Sequence, residues 1–153
     1  MKRIEIKLSL PVVAPLLDVI KELGGELQKH LAAPLAIGDL DPDFHASWVD
    51  DLLAAQNEDV RVLLALFNEE FFSEGVVAID EDNAEHVVRA CAAVRLRLRT
   101  RHLQVFDEET LETGEVELGK LQEPLRKAFL CYLFLATLQE LVIQHLDSSI
   151  IGG

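Results

Sequence analysis

The chain has 153 residues, half of them apolar, and a formal net charge of −13. These values predict one domain over residues 1–153 with a real hydrophobic core, and they exclude general disorder. The negative charge argues against nucleic acid or an anionic membrane as a partner, because phosphates are repelled at long range. The longest stretch without charge, Ala128 to Gln139, is shorter than the roughly 20 residues of a membrane span. We therefore expect a cytoplasmic protein.

The first predicted element is a strand over about residues 3–10, where isoleucine and leucine alternate with polar residues. A second short apolar run, residues 76–79, lies between Gly75 and Asp80 and is predicted to pair with it. So small a ribbon needs helices packed on one face. The fold class is therefore mainly α, a single-domain bundle of about five helices with a minimal N-terminal β element.

Helical spacing of apolar residues accounts for most of the remaining chain. The helices expected outside the central region run from Pro11 to about Leu31, from Pro42 to Leu53, from Asn57 to Gly75 and from Leu125 to about Asp147. Gly24-Gly25 is predicted to mark a kink or the boundary of two short helices, and Asp41 is expected to cap the helix that Pro42 begins. Residues 32–40 and 107–123 are expected to be loops, with a third short strand as an alternative at 115–118. Residues 148–153 are predicted to form a flexible tail.

The central helix follows a cap at residues 80–83 and holds five arginines but only one acid, Glu85, so residues 85–105 carry a net charge of +4. On a helical wheel, Arg95 and Arg99 lie on one flank of an apolar face, and Arg97 and Arg101 lie on the other. Strict alternation over residues 94–101 leaves a strand as the alternative. Flanking arginines favour salt bridges to neighbouring helices, with the acids at 107–109 among the candidate partners. An anion site or a partner interface formed by these four arginines is the second interpretation.

The final helix is apolar nearly all round between Ala128 and Leu138, which favours a position at the centre of the bundle over one side of a subunit interface. Cys91 and Cys131 lie within apolar helical patterns and are expected to be buried, reduced thiols, with a disulfide as the less favoured reading. No catalytic signature, cofactor motif or metal-ligand spacing is recognised, so no enzyme activity, cofactor or metal is expected.

The chain resembles a bacterial domain-of-unknown-function family of small helical proteins, sometimes encoded beside the Clp protease adaptor ClpS. The resemblance is clearest over Val76 to Val105, where Arg95, Leu96, Thr100 and Arg101 match an Arg-Leu segment and a later Thr-Arg. The closing apolar helix, YLFLATLQELVIQHL, is similar as well. Arg97 and Arg99 depart from the family pattern. The resemblance implies a helical domain with a strand ribbon, and it implies no activity, cofactor or site residue.

These observations favour a non-catalytic protein-interaction or regulatory module that forms a homodimer or binds another protein. Its interface is expected on the arginine helix, on the last helix or on both. The alternative is a binding protein for a small anion held by Arg95, Arg97, Arg99 and Arg101. An unrecognised enzyme is the third hypothesis.

Overall fold

The computed structural model describes residues 3–32 and 42–145. It confirms the predicted class, a mainly helical bundle with a small N-terminal sheet. In chain order the elements are β1 (Arg3–Lys7), α1 (Leu10–Val13), α2 (Leu17–Leu27), α3 (Pro42–Ala65), α4 (Glu69–Glu74), β2 (Val76–Asp80), α5 (Ala84–Arg101), α6 (Glu108–Thr113) and α7 (Leu125–His145). Short 3-10 turns occupy Ala14–Leu16 and Leu118–Lys120.

The two strands form an antiparallel pair, as the sequence predicts. Ile4 lies opposite Ile79 and Ile6 lies opposite Val77. Val77 and Ile79 are fully buried, whereas the two β1 isoleucines are half-buried. The sheet therefore covers one side of the helical core with alternate apolar side chains, which is the period-two pattern of a half-buried ribbon.

The predicted kink at Gly24-Gly25 is wrong, because α2 continues through both glycines. A Cβ atom on Gly24 would lie 3.1 Å from Cγ1 of Val60. The glycine therefore allows α2 and α3 to approach closely. The break lies earlier in the chain, at the 3-10 turn that contains Pro15, because proline lacks the N–H that an α-helical turn needs.

The predicted helix start at Asn57 is also wrong, because α3 continues from Pro42 to Ala65 without interruption. The helix predicted to reach Gly75 is in fact divided. Asn68 caps a separate short helix, α4, by accepting a hydrogen bond from the N–H of Phe71 at 3.2 Å. Asp41 and most of the predicted loop over 32–40 lie outside the described residues.

The acidic segment before α7 contains a short helix and no strand, so the alternative of a third strand at 115–118 is wrong. Asp107 starts α6 by accepting a hydrogen bond from the N–H of Thr110 at 2.8 Å. Gly114 ends α6 in a left-handed conformation. Local capping, which a count of acids and glycines does not show, decides this region. The predicted tail, 148–153, lies outside the described residues.

The helix at the centre of the bundle is α5, and the prediction that α7 holds this position is wrong. α5 packs against α2, α3 and α7, and its face of Val87, Cys91, Val94 and Leu98 is fully buried. α7 is long and apolar enough to cross a membrane by length and composition. Its Phe129, Leu135, Leu138 and Val142 are nevertheless buried in the core, as in the core helix of a globular domain.

Two glycines allow a matched test of this packing. Gly75 ends α4 with φ +71°, and a Cβ atom there would lie 2.7 Å from the carbonyl oxygen of Leu8, whereas nothing lies within 4 Å of a Cβ atom at Gly25. We expect Gly75→Ala to lower the free energy of unfolding by about 1–2 kcal/mol or more. Gly25→Ala should raise it by about 0.5–1 kcal/mol, because alanine has the better helix propensity. Urea denaturation measures both, and a reversed ranking would contradict this assignment.

Candidate functional site

The arginines of α5 contact four different neighbouring helices. Arg89 binds α3 by donating from Nε to Asp59 Oδ2 and from NH2 to Asp59 Oδ1, both at 3.1 Å. His86 Nδ1 lies 2.8 Å from the same carboxylate, and Glu85 lies 2.5 Å from Arg89. Asp59 is the buried charged residue of the described core. Hydrogen bonding to Asp59 raises the pKa of the Arg89 guanidinium. Both oxygens of this buried carboxylate accept hydrogen bonds from Arg89 of α5.

Arg97 and Arg101 meet at one carboxylate of α2. Glu26 Oε1 lies 2.8 Å from Arg97 NH2 and 3.2 Å from Arg101 Nε. The side chains of Arg97 and Glu26 are only 19% and 21% exposed. This pair is therefore shielded from water, and it joins α5 to α2 more firmly than an exposed ion pair would.

On the opposite flank, Arg99 donates from NH2 to Glu108 Oε1 of α6 at 2.9 Å. This contact confirms one of the acids at 107–109, Glu108, as a partner of the arginine helix. Hydrogen bonding to Glu108 raises the pKa of Arg99. Because Glu108 is 79% exposed, the pair contributes little to stability.

Arg95 differs from the others, since its contacts in the described structure are all with uncharged groups. Its NH1 donates to Gln139 Oε1 at 2.8 Å and its NH2 donates to the hydroxyl of Tyr132 at 3.2 Å. The guanidinium carbon lies 4.7 Å from the centre of the Tyr132 ring, a cation–π contact. The Nε atom is buried and has no hydrogen-bond partner among the described residues.

The four candidate arginines therefore do not form one site. The predicted division into two flanks is confirmed: Arg97 and Arg101 turn toward α2, while Arg95 and Arg99 turn toward α7 and α6. Three of the four are already paired with carboxylates. Anion binding by the whole set would require these ion pairs to open, so Arg95 is the one candidate that this geometry favours.

A second surface, which the sequence analysis did not identify, lies on the first half of α3. Phe44 and Trp48 are 60% and 42% exposed, although their spacing resembled that of a buried stripe. Their rings pack edge to face with centroids 6.0 Å apart. Among the described side chains of α3, the first that is buried is Asp59. The sequence did hold a signal, since residues 42–57 contain three aspartates and no lysine or arginine.

Both cysteines are free and buried, as predicted. Desolvation raises the pKa of Cys91 to about 12 and that of Cys131 to about 12. A thiol with so high a pKa forms almost no thiolate at neutral pH and is a poor nucleophile. Among residues 3–32 and 42–145, no group of three or more His, Cys, Asp or Glu side chains could hold a metal ion.

Comparison with known proteins identifies a family that matches most of the chain. The model of a family described as a domain of unknown function (DUF2017) matches residues 33–146. No curated protein and no solved structure matches the chain.

The buried carboxylate of Asp59 makes a quantitative prediction. Asp59→Asn removes the charge that Arg89 and His86 share, so we expect the free energy of unfolding to fall by about 1.5–3 kcal/mol. The neighbouring Glu58, which forms an exposed pair with Arg61, supplies the control: Glu58→Gln should leave stability unchanged within error. Urea denaturation of both variants measures this difference, and equal effects would contradict a structural role for Asp59.

The cysteines make a second prediction, about reactivity. In the native protein at pH 8, neither thiol should react with the disulfide reagent DTNB, because burial holds both pKa values near 12. In denaturant both thiols of the chain should react fully, since the unfolded pKa is about 8.5. Rapid labelling of a folded thiol would show an accessible nucleophile and would restore the enzyme hypothesis.

Proposed function

We propose that this chain, which belongs to the family described as a domain of unknown function (DUF2017), is a non-catalytic protein-interaction module. We further propose that its partner docks on the first half of α3, residues 42–55, which we name the acidic arm. The observation that carries this proposal is the exposed aromatic pair, Phe44 and Trp48.

The acidic arm is separate from the hydrophobic core. Residues 42–55 amount to about 20 Å of helix, and none of their described side chains is buried. Further along the helix, the side-chain amide of Gln56 donates to the carbonyl of Leu27 at 2.7 Å and accepts from the N–H of Ala32 at 3.0 Å. Val60 and Leu63 then enter the core. These contacts hold the end of the arm that continues into the core, and the aromatic flank of the arm is exposed.

The composition of this flank resembles the centre of a protein interface. Phe44, Trp48 and Leu52 follow one another at four-residue spacing and share one side of the helix. Aromatic side chains supply much of the binding energy at interfaces, because they bury a large area at a small entropic cost. Scattered exposed apolar residues are normal on any protein, but an adjacent aromatic pair at the end of an unburied helix favours docking.

Charge indicates the chemistry of the partner. The arm carries Asp43, Asp50 and Asp51 and no lysine or arginine, and Asp51 is one helical turn from Trp48. A second copy of the arm would bring the same acids face to face, and like charges would oppose that contact. We therefore propose a basic amphipathic segment of another protein as the occupant. Homodimerisation, the cytoplasmic location and the bacterial source stay predictions.

Trp48 is the single tryptophan of the chain, so its fluorescence reports docking directly. The probe is a synthetic 16-residue helical peptide with leucine on one face and lysine on the other. We expect it to shift the emission of Trp48 to shorter wavelength and to protect it from acrylamide, with an affinity that falls as salt rises. The same peptide with glutamate in place of lysine should have no effect.

Matched variants separate the arm from the general acidity of the chain. Phe44→Ala should weaken peptide binding at least about tenfold, whereas Phe72→Ala, at another exposed phenylalanine, should not. The double variant Asp50→Asn with Asp51→Asn should reduce the salt dependence of peptide binding more than the double variant Glu69→Gln with Glu70→Gln. Equal effects of the paired variants would contradict the proposal. So would a Trp48 shift that depends on protein concentration without peptide, which would identify a second copy as the occupant.

A further inference from the structure

Arg95 is paired with no carboxylate in the described structure, whereas the other arginines of α5 each form an ion pair. A guanidinium has five N–H donors, and in the described structure Arg95 uses two of them, on Gln139 and Tyr132. Neither partner carries a negative charge. Removing a cation from water without an anionic partner is costly. Such a group is stabilised when an anion reaches it from outside.

A cavity of about 570 Å³, open to solvent, lies beside Arg95 and between α6 and α7. This volume is within the range of small-molecule sites. Gln139 and Thr137 line it together with Arg95, and Leu111, Leu133, Ala136 and Ile143 supply its apolar surface. Gln139 is held in place, because its Nε2 donates to the carbonyl of Val88 at 3.3 Å. Its Oε1 in turn holds NH1 of Arg95, so the cation is positioned before any ligand arrives.

The remaining charges of the cavity restrict the ligand. Glu112 and Glu140 also line it, and Glu140 accepts a hydrogen bond from Gln144 at 3.1 Å. The nearby Arg99 is paired with Glu108. Among the described residues of its lining, a dianion such as phosphate would meet one cation, Arg95, and two carboxylates, and the carboxylates would repel it. A molecule with one carboxylate and one ammonium group would pair with the Arg95 guanidinium and with a glutamate carboxylate at the same time.

The geometry points to a binding site for a small zwitterion with an apolar side chain, of the α-amino acid class. Its carboxylate binds Arg95, its ammonium group binds Glu140, and its side chain packs among the leucines and Ile143. This site is separate from the acidic arm, so the two proposals stand or fall independently.

Calorimetric titration of the full chain tests the ligand class with L-leucine, L-methionine and L-phenylalanine as probes. At least one should bind, with an affinity at least tenfold higher than that of its N-acetyl derivative, of its amide and of inorganic phosphate. Tight binding of phosphate would overturn the zwitterion assignment in favour of a simple anion site. Absence of binding for all three amino acids would overturn the proposal itself.

Single substitutions test whether the amino acid binds at Arg95. Arg95→Gln should weaken amino-acid binding at least tenfold, whereas Arg99→Gln, on the same flank of α5, should leave it unchanged. Glu140→Gln should change the two affinities in opposite directions. It should weaken binding of the free amino acid, because the partner of the ammonium group is lost. It should strengthen binding of the N-acetyl derivative, because one repulsive carboxylate is removed. This comparison decides the question even if Arg95→Gln fails to fold. Equal effects of Arg95→Gln and Arg99→Gln, or no change in either ligand with Glu140→Gln, would contradict the site.

Discussion

The packing of this protein depends on one electrostatic constraint: the central helix carries five arginines, so each guanidinium must find a partner beside the apolar face that it flanks. The fold meets this constraint with a different neighbour for almost every arginine. Asp59 of α3 accepts from Arg89, and Glu108 of α6 accepts from Arg99. Glu26 of α2 accepts from both Arg97 and Arg101. Because ion pairs need defined geometry, these contacts set the register of α5 against its neighbours while the apolar face supplies most of the stability.

This arrangement separates structural charges from charges that are available for binding. The excess of acid in the chain neutralises most of the arginine helix within the fold. Arg95 remains, beside a cavity and among uncharged partners. The acidic arm shows the reverse case, with aromatic side chains exposed and acids in excess. The two surfaces differ in charge and in shape, which is why they support different proposals.

The sequence predicted the strand pairing, the arginine helix with its two flanks and the buried cysteines, because period and burial decide these features locally. It failed where tertiary contacts decide. Gly24 reads as a helix breaker, but it is a contact point with Val60. Asn57 reads as a helix start, but it lies within α3. The exposure of Phe44 and Trp48 did not follow from their spacing, because a helical stripe looks the same whether or not another element covers it. Among the described residues no carboxylate pairs with Arg95, and this depends on where α6 and α7 lie, which no local pattern encodes.

A double-mutant cycle on Arg97 and Glu26 tests most directly the claim that the arginines are committed to partners within the fold. Unfolding free energies of Arg97→Gln, Glu26→Gln and the double variant give the coupling between the two side chains. The account predicts a coupling of about 1–3 kcal/mol, because both groups are about four-fifths buried, and a much smaller one for the exposed pair of Arg99 and Glu108. Additive effects at Arg97 and Glu26, within about 0.3 kcal/mol, would contradict it.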